Sequence, residues 1–253
     1  FGCLTTLILS RNALDDEASA AICKQIEQSK TIKNITLSFN NLGKIFLNSL
    51  YDALLNGESS LESLNLSSNN FDKDDIKLLH LIVRDFTIKQ FDFSHNTLST
   101  KVIQDLVLAS EKNEELTSLD LTDTNINDDG AKSLATMITN HKKLQKLILA
   151  QNKITDIGGV DIAKAIEHNE SLSILSLSDN ELKDKSAEVI LVSLKNNLHI
   201  VDLDVSYNDF GCMYYVLLKR MIEEHRKMLN SNVHDVVEKH IDYLKGQEKK
   251  LFE

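Results

Sequence analysis

Leu4-Thr5-Thr6-Leu7-Ile8-Leu9-Ser10-Arg11-Asn12 is answered 28 residues later by Ile32-Lys33-Asn34-Ile35-Thr36-Leu37-Ser38-Phe39-Asn40. The same frame continues with Leu61/Leu64/Leu66/Asn69, Ile88/Phe91/Phe93/Asn96, Leu116/Leu119/Leu121/Thr124, Leu144/Leu147/Leu149/Asn152, Leu172/Leu175/Leu177/Asn180 and Ile200/Leu203/Val205/Asn208. From Asn12 to Asn208 the spacings are 28, 29, 27, 28, 28, 28 and 28, and each copy places an apolar residue two positions after the Asn or Thr: Leu14, Leu42, Phe71, Leu98, Ile126, Ile154, Leu182 and Phe210. A fixed period over eight copies means a stack of equal units, none of which buries its apolar face alone.

Each unit reads as one strand and one helix. The alternating LxL core has the two-residue period of a short strand. About 14 residues later a helical pattern follows, as in Ala131, Leu134, Ala135 and Ile138 of the fifth copy. Stacking then gives a parallel sheet on the concave side and helices on the convex side. Asp15-Asp16 and Asp128-Asp129 precede helix starts, where acid suits the helix dipole. The recurrent amide of Asn12, Asn40, Asn69, Asn96, Asn152, Asn180 and Asn208 supplies donors and an acceptor where the chain leaves the strand. Thr124 lacks the amide, so a bound water or a local irregularity is expected in the fifth copy.

The frame LxxLxLxxNxL resembles the leucine-rich repeat, and its 28-residue period resembles the ribonuclease-inhibitor-type subclass. The resemblance covers residues 1 to about 212. It implies an α/β solenoid shaped as a horseshoe and an intracellular protein. Relatives of that type include ribonuclease inhibitor, NOD-like receptor repeats, the Ran GTPase-activating protein and leucine-rich subunits of the ciliary dynein regulatory complex.

After Phe210 the period stops. We therefore expect a solenoid of eight repeats over 1–211 and a C-terminal helical cap or extension over 212–253. Met213, Val216, Leu217, Met221 and Ile222 mark a first helix, read as the cap that the last coil needs. Val233, Val236, Val237, Ile241 and Leu244 mark a second, which suits a cap or a partner helix equally well. The chain begins Phe1-Gly2-Cys3, without Met or the features of a signal peptide, and is expected to be a piece of something longer.

Composition narrows the function. The 253 residues carry a net charge of −10, which argues against nucleic acid or an anionic membrane as the main partner. No apolar run approaches the length of a transmembrane helix. Three Cys without a CxxC pair form neither a disulfide framework nor a zinc site, and read as reduced cytosolic thiols. No nucleotide, metalloprotease or serine-hydrolase motif occurs, and the eight His show no metal-ligand spacing. No enzyme, cofactor or metal is expected.

The concave positions carry the binding expectation. The central strand position reads Ile8, Thr36, Asn65, Asp92, Asp120, Ile148, Ser176 and Asp204. The position before each ladder residue reads Arg11, Phe39, Ser68, His95, Asp123, Gln151, Asp179 and Tyr207. With Asp202, six acids (Asp92, Asp120, Asp123, Asp179, Asp202 and Asp204) share this face between repeats four and eight, and Lys146 is the one basic residue among them. Two readings remain: a solvated acidic sheet, or an electronegative groove for a basic protein segment, with Phe39, His95 and Tyr207 beside it. The expected function is a non-enzymatic protein-protein interaction scaffold, a subunit of a cytoplasmic hetero-complex with a ciliary or axonemal setting among the options. Alternatives are a Ran-type GTPase-activating protein, with Arg11 the one arginine on a repeat edge, a nuclease inhibitor, and a secreted bacterial effector with eukaryote-like repeats.

Overall fold

A computed structural model describes residues 3–58, 60–69, 71, 79–85 and 88–230. Strands and helices alternate: β1 (Thr6–Ile8), α1 (Asp16–Gln28), β2 (Asn34–Thr36), α2 (Lys44–Asn56), β3 (Ser63–Asn65), α3 (Leu79–Asp85), β4 (Gln90–Asp92), α4 (Thr100–Ser110), β5 (Ser118–Asp120), α5 (Asp128–Asn140), β6 (Lys146–Ile148), α6 (Asp156–Ile166), β7 (Ile174–Ser176), α7 (Asp184–Asn196), β8 (Asp202–Asp204) and α8 (Cys212–Asn230). The strands form one parallel sheet in sequence order. Its register is that of the repeat, with Leu7 opposite Ile35 and Leu175 opposite Leu203. Helices form the second layer. The middle strand residues from Ile35 to Leu175 are buried, as are the fully enclosed Phe46, Phe91 and Phe93. Phe93 stacks on Phe71 and Phe91, with centroids 5.2 and 5.9 Å apart.

The Asn ladder closes the turn after each strand. Asn152 Oδ1 accepts from the Thr124 and Ile126 amides of the preceding coil, and its Nδ2 donates to the Leu121, Leu149 and Ala150 carbonyls. Asn40 does the same toward coil one, binding the Asn12 and Leu14 amides. Thr124 is the irregular rung. Its hydroxyl donates to Leu121 O at 2.8 Å, and the Leu98 amide turns to the Thr124 backbone carbonyl at 3.0 Å. The following residue, Asn125, takes a left-handed φ of 64°.

Two further ladders share the period, and the apolar frame gives no hint of them. On the helix-to-strand edge, Asn113, His141, Asn169 and Asn197 are buried 28 residues apart. Each accepts from the backbone ahead of its strand and donates to a carbonyl of the preceding coil, as His141 Nε2–H does to Asn113 O at 3.0 Å. On the strand-to-helix edge a carboxylate in the first turn of one helix caps the next coil. Asp16 binds the Gly43 and Phe46 amides, and Asp128 binds the Thr155 and Gly158 amides. Asp156 binds those of Lys183 and Ser186, and Asp184 that of Gly211. The acids expected to serve their own helix dipoles thus divide: Asp15 caps α1 through the Ala18 amide, while Asp16 and Asp128 reach forward one coil. Burial works to raise the Asp156 pKa, but hydrogen bonds from Ser186 and Lys183 outweigh it and hold the pKa below the usual carboxylate value. Gly158 leaves the room this rail needs: a Cβ there would stand 2.7 Å from Ala131 Cβ and 2.8 Å from Asp128 Oδ1.

Burial holds the His141 pKa below its ordinary 6.5. Its Nδ1 accepts from the Lys143 and Leu144 amides, so a proton there would break both bonds. As pH falls through 6.5 the unfolded chain takes up a proton that the folded ring refuses, and stability declines. His141→Asn installs the side chain used at Asn113, Asn169 and Asn197. It should flatten the fall in melting temperature between about pH 7 and pH 5. An unaltered slope in thermal melts would show that His141 does not set it.

Helix α8 closes the far end. Leu218, Ile222 and His225 are buried against coil eight, and His225 Nδ1–H donates to Ile200 O at 2.9 Å. Tyr215 takes the place of a ninth ladder residue: its hydroxyl accepts from the Asn208 amide at 3.0 Å and donates to Asn208 O at 2.7 Å. The second helix expected over 233–244 lies outside the described residues.

Candidate functional site

The sheet face turned away from the helices is built from three rows. The first is the leading strand residue: Thr6, Asn34, Ser63, Gln90, Ser118, Lys146, Ile174 and Asp202. The second is the trailing one: Ile8, Thr36, Asn65, Asp92, Asp120, Ile148, Ser176 and Asp204. Register sets each row side by side across the sheet, so Asp92 stands opposite Asp120 and Ser176 opposite Asp204.

The third row differs from the sequence expectation in its backbone. Arg11, Phe39, Ser68, His95, Asp123, Gln151, Asp179 and Tyr207 all lie at φ between 51° and 60°, in the turn that leaves the strand. None is Gly or Asn, the residues that tolerate this region best, so the left-handed turn was hidden in the sequence. At this row the Arg11 guanidinium lies over the Phe39 ring, 4.2 Å from its centroid.

The second-row acids have a structural task that the sequence reading missed. Oδ1 of Asp92 accepts from the Ser94 amide and hydroxyl, that of Asp120 from Thr122, and that of Asp204 from Ser206. These side chains clamp the left-handed turn. Asp92 Oδ2 also accepts from Asn65 Nδ2 at 2.6 Å. Burial raises the Asp92 pKa, the Asp120 charge adds to the rise, and hydrogen bonds from Ser94 oppose it. Replacing these acids with Lys therefore removes a turn acceptor as well as a charge. At Asp120 and Asp204 Asn removes the charge alone, whereas at Asp92 it also sets an amide donor against Asn65 Nδ2.

The six acids are not equivalent. Asp202 leaves the free set: Arg226 of α8 pairs with it at 2.7 Å and donates to Val201 O at 2.6 Å. Nothing in the strand pattern foretells this, because the docking of α8 brings Arg226 there. Asp123 faces His95 at 3.2 Å. Asp92, Asp120, Asp179 and Asp204 remain, with Lys146 exposed between the two pairs. At the sheet edge Glu62 receives both Lys33 and Lys89, at 2.8 and 2.9 Å, and their hydrogen bonds draw its pKa down to about 2. Among the described residues no group of His, Cys, Asp or Glu is arranged to hold a metal, and no helix is long and apolar enough to cross a membrane.

Comparison with known proteins agrees with this architecture. A family model described as Leucine Rich repeat matches residues 3–23, 58–79, 112–135, 140–163 and 168–191. The chain is similar to Protein CARMIL of Dictyostelium discoideum, at 26% identity over 140 residues. That alignment covers 54% of this chain and 13% of the far longer relative. Among solved structures the fold is like that of leiomodin-1 actin-binding site 2, with a TM-score of 0.52 and 18% identity over 69% of this chain and 97% of that one. It is also like the tropomodulin C-terminal domain of Caenorhabditis elegans, with a TM-score of 0.53 and 15% identity over 62% and 96%. At these identities the two structures share the fold.

Proposed function

Because the chain is a leucine-rich repeat protein, we propose that it is a non-catalytic binding module that docks a basic segment of a partner protein on the open face of its sheet, as a subunit of a larger intracellular assembly. One observation carries the reading: Asp92, Asp120, Asp179 and Asp204 line that face between repeats four and eight, where Lys146 is the one basic residue of the three rows. Charges of one sign on an extended face raise the encounter rate with the opposite sign. A cytoskeletal partner is the first to try, since leiomodin-1 actin-binding site 2 has this fold. Arg11, the one candidate residue of the Ran-type reading, has its guanidinium stacked on Phe39. A nuclease inhibitor would use the same acidic face toward a basic enzyme, whereas no residue of the described structure favours the ciliary or bacterial-effector setting.

A photo-crosslinking amino acid in place of Ile148 on the open face, or of Val192 on the helical layer, tests the proposal. The expected result in cell extract is an adduct from Ile148 that maps to a Lys/Arg-rich stretch of the partner. Adducts from Val192 alone would move the binding surface to the helices.

A further inference from the structure

The left-handed row holds an internal example of cation binding. Arg11 N–H donates to Ser38 O at 3.0 Å, which sets Arg11 beside Phe39, and the guanidinium lies on the ring. At the other end of the sheet the same link recurs. Asp179 N–H donates to Ser206 O at 2.8 Å and sets Asp179 beside Tyr207. Here the aromatic is present, but its neighbour is a carboxylate instead of a cation. Tyr207 is 82% exposed, against 48% for Phe39 under its arginine. Asp204 stands three residues before Tyr207 and is exposed, with only Oδ1 committed to the Ser206 clamp. Among the described residues no ion pair reaches Asp179 or Asp204. A large ring at φ 57° buries little apolar area and occupies a backbone region better suited to Gly.

We infer that Tyr207, Asp179 and Asp204 form a receptor for an arginine side chain of the partner, with the ring beneath the guanidinium and the carboxylates at its edges. The inference rests on the open-face reading of function and says where on that face the partner is held. Arginine fits better than lysine because its planar, weakly hydrated group stacks on a ring while its N–H edge donates to carboxylates.

The test is a titration of the ¹⁵N-labelled 253-residue chain with acetyl-tetraarginine amide at low salt, followed by NMR. The largest shifts are expected at the amides of Asp179, Ser206 and Tyr207, with none from the uncharged tetracitrulline peptide. Tyr207→Gly should keep the melting temperature and weaken tetraarginine binding roughly three- to tenfold. If that variant melts lower, Asp179→Asn, which keeps the ring, should give a comparable weakening. Shifts centred on Asp92 and Asp120, with wild-type affinity in both variants, would overturn the receptor and leave the acidic face standing. No shift anywhere on the open face would overturn both.

Discussion

Truncation after Phe210 should unravel coil eight while leaving coils three to six folded. The cut removes Leu218, Ile222 and His225, all buried on the last coil, and uncovers Ile200 and Phe210 beneath them. It also removes Tyr215, whose hydroxyl serves both backbone groups of Asn208 and whose ring lies 5.3 Å from that of Phe210. The lost burial on both sides of this contact is worth on the order of 5 kcal/mol. Solenoid units are stabilised by their neighbours, so the loss is local and propagates inward from the end. Hydrogen exchange should show the amides of Leu177 and Asp179, which pair with Asp204 and Ser206, exchanging as in an open strand edge. A chain ending at Asn230 retains α8 and should keep them protected. If the shorter chain protects these amides as the longer one does, α8 is not what closes the solenoid.

Asn152→Ala should lower stability by about 3 kcal/mol, read from the urea midpoint. The amide is buried and joins two coils, serving two N–H groups and three carbonyls, and water cannot replace it there. Asn12→Ala is the contrast. Asn12 is exposed, and its Nδ2 donates to Ser10 O within its own coil, so less than about 1 kcal/mol is expected. Equal losses at the two sites would mean that the ladder contributes intrinsic turn preference and no bridging between coils.

The contrast between these residues and those of the open face shows what was legible in the sequence. Strands, their register and the Asn ladder follow from one period of apolar and amide residues, because one local solution is repeated. The His141 and Asp156 ladders obey the same period, yet their residue types vary from coil to coil. His141 stands where its neighbours carry Asn, and Lys44 stands where the rail carries Asp16 and Asp128. The left-handed row is hidden in the sequence because Arg, Phe, Gln and Tyr do not announce a positive φ. The turn imposes it on whatever residue is there. The pairing of Asp202 with Arg226 depends on how α8 lies across β8, which no local pattern encodes.

The central claim is that an acidic open face recruits a basic partner, and association kinetics test it most directly. The partner captured through Ile148 is purified, and its binding to the wild-type chain is compared with that of the combined variant Asp120→Asn, Asp179→Asn, Asp204→Asn. Asn keeps the Oδ1 acceptors that clamp Thr122 and Ser206, and Asp179 is exposed, so the melting temperature should barely move. At low ionic strength the variant should associate about tenfold more slowly, and the two rates should converge as salt screens the face. Equal rates at every salt concentration would contradict the claim.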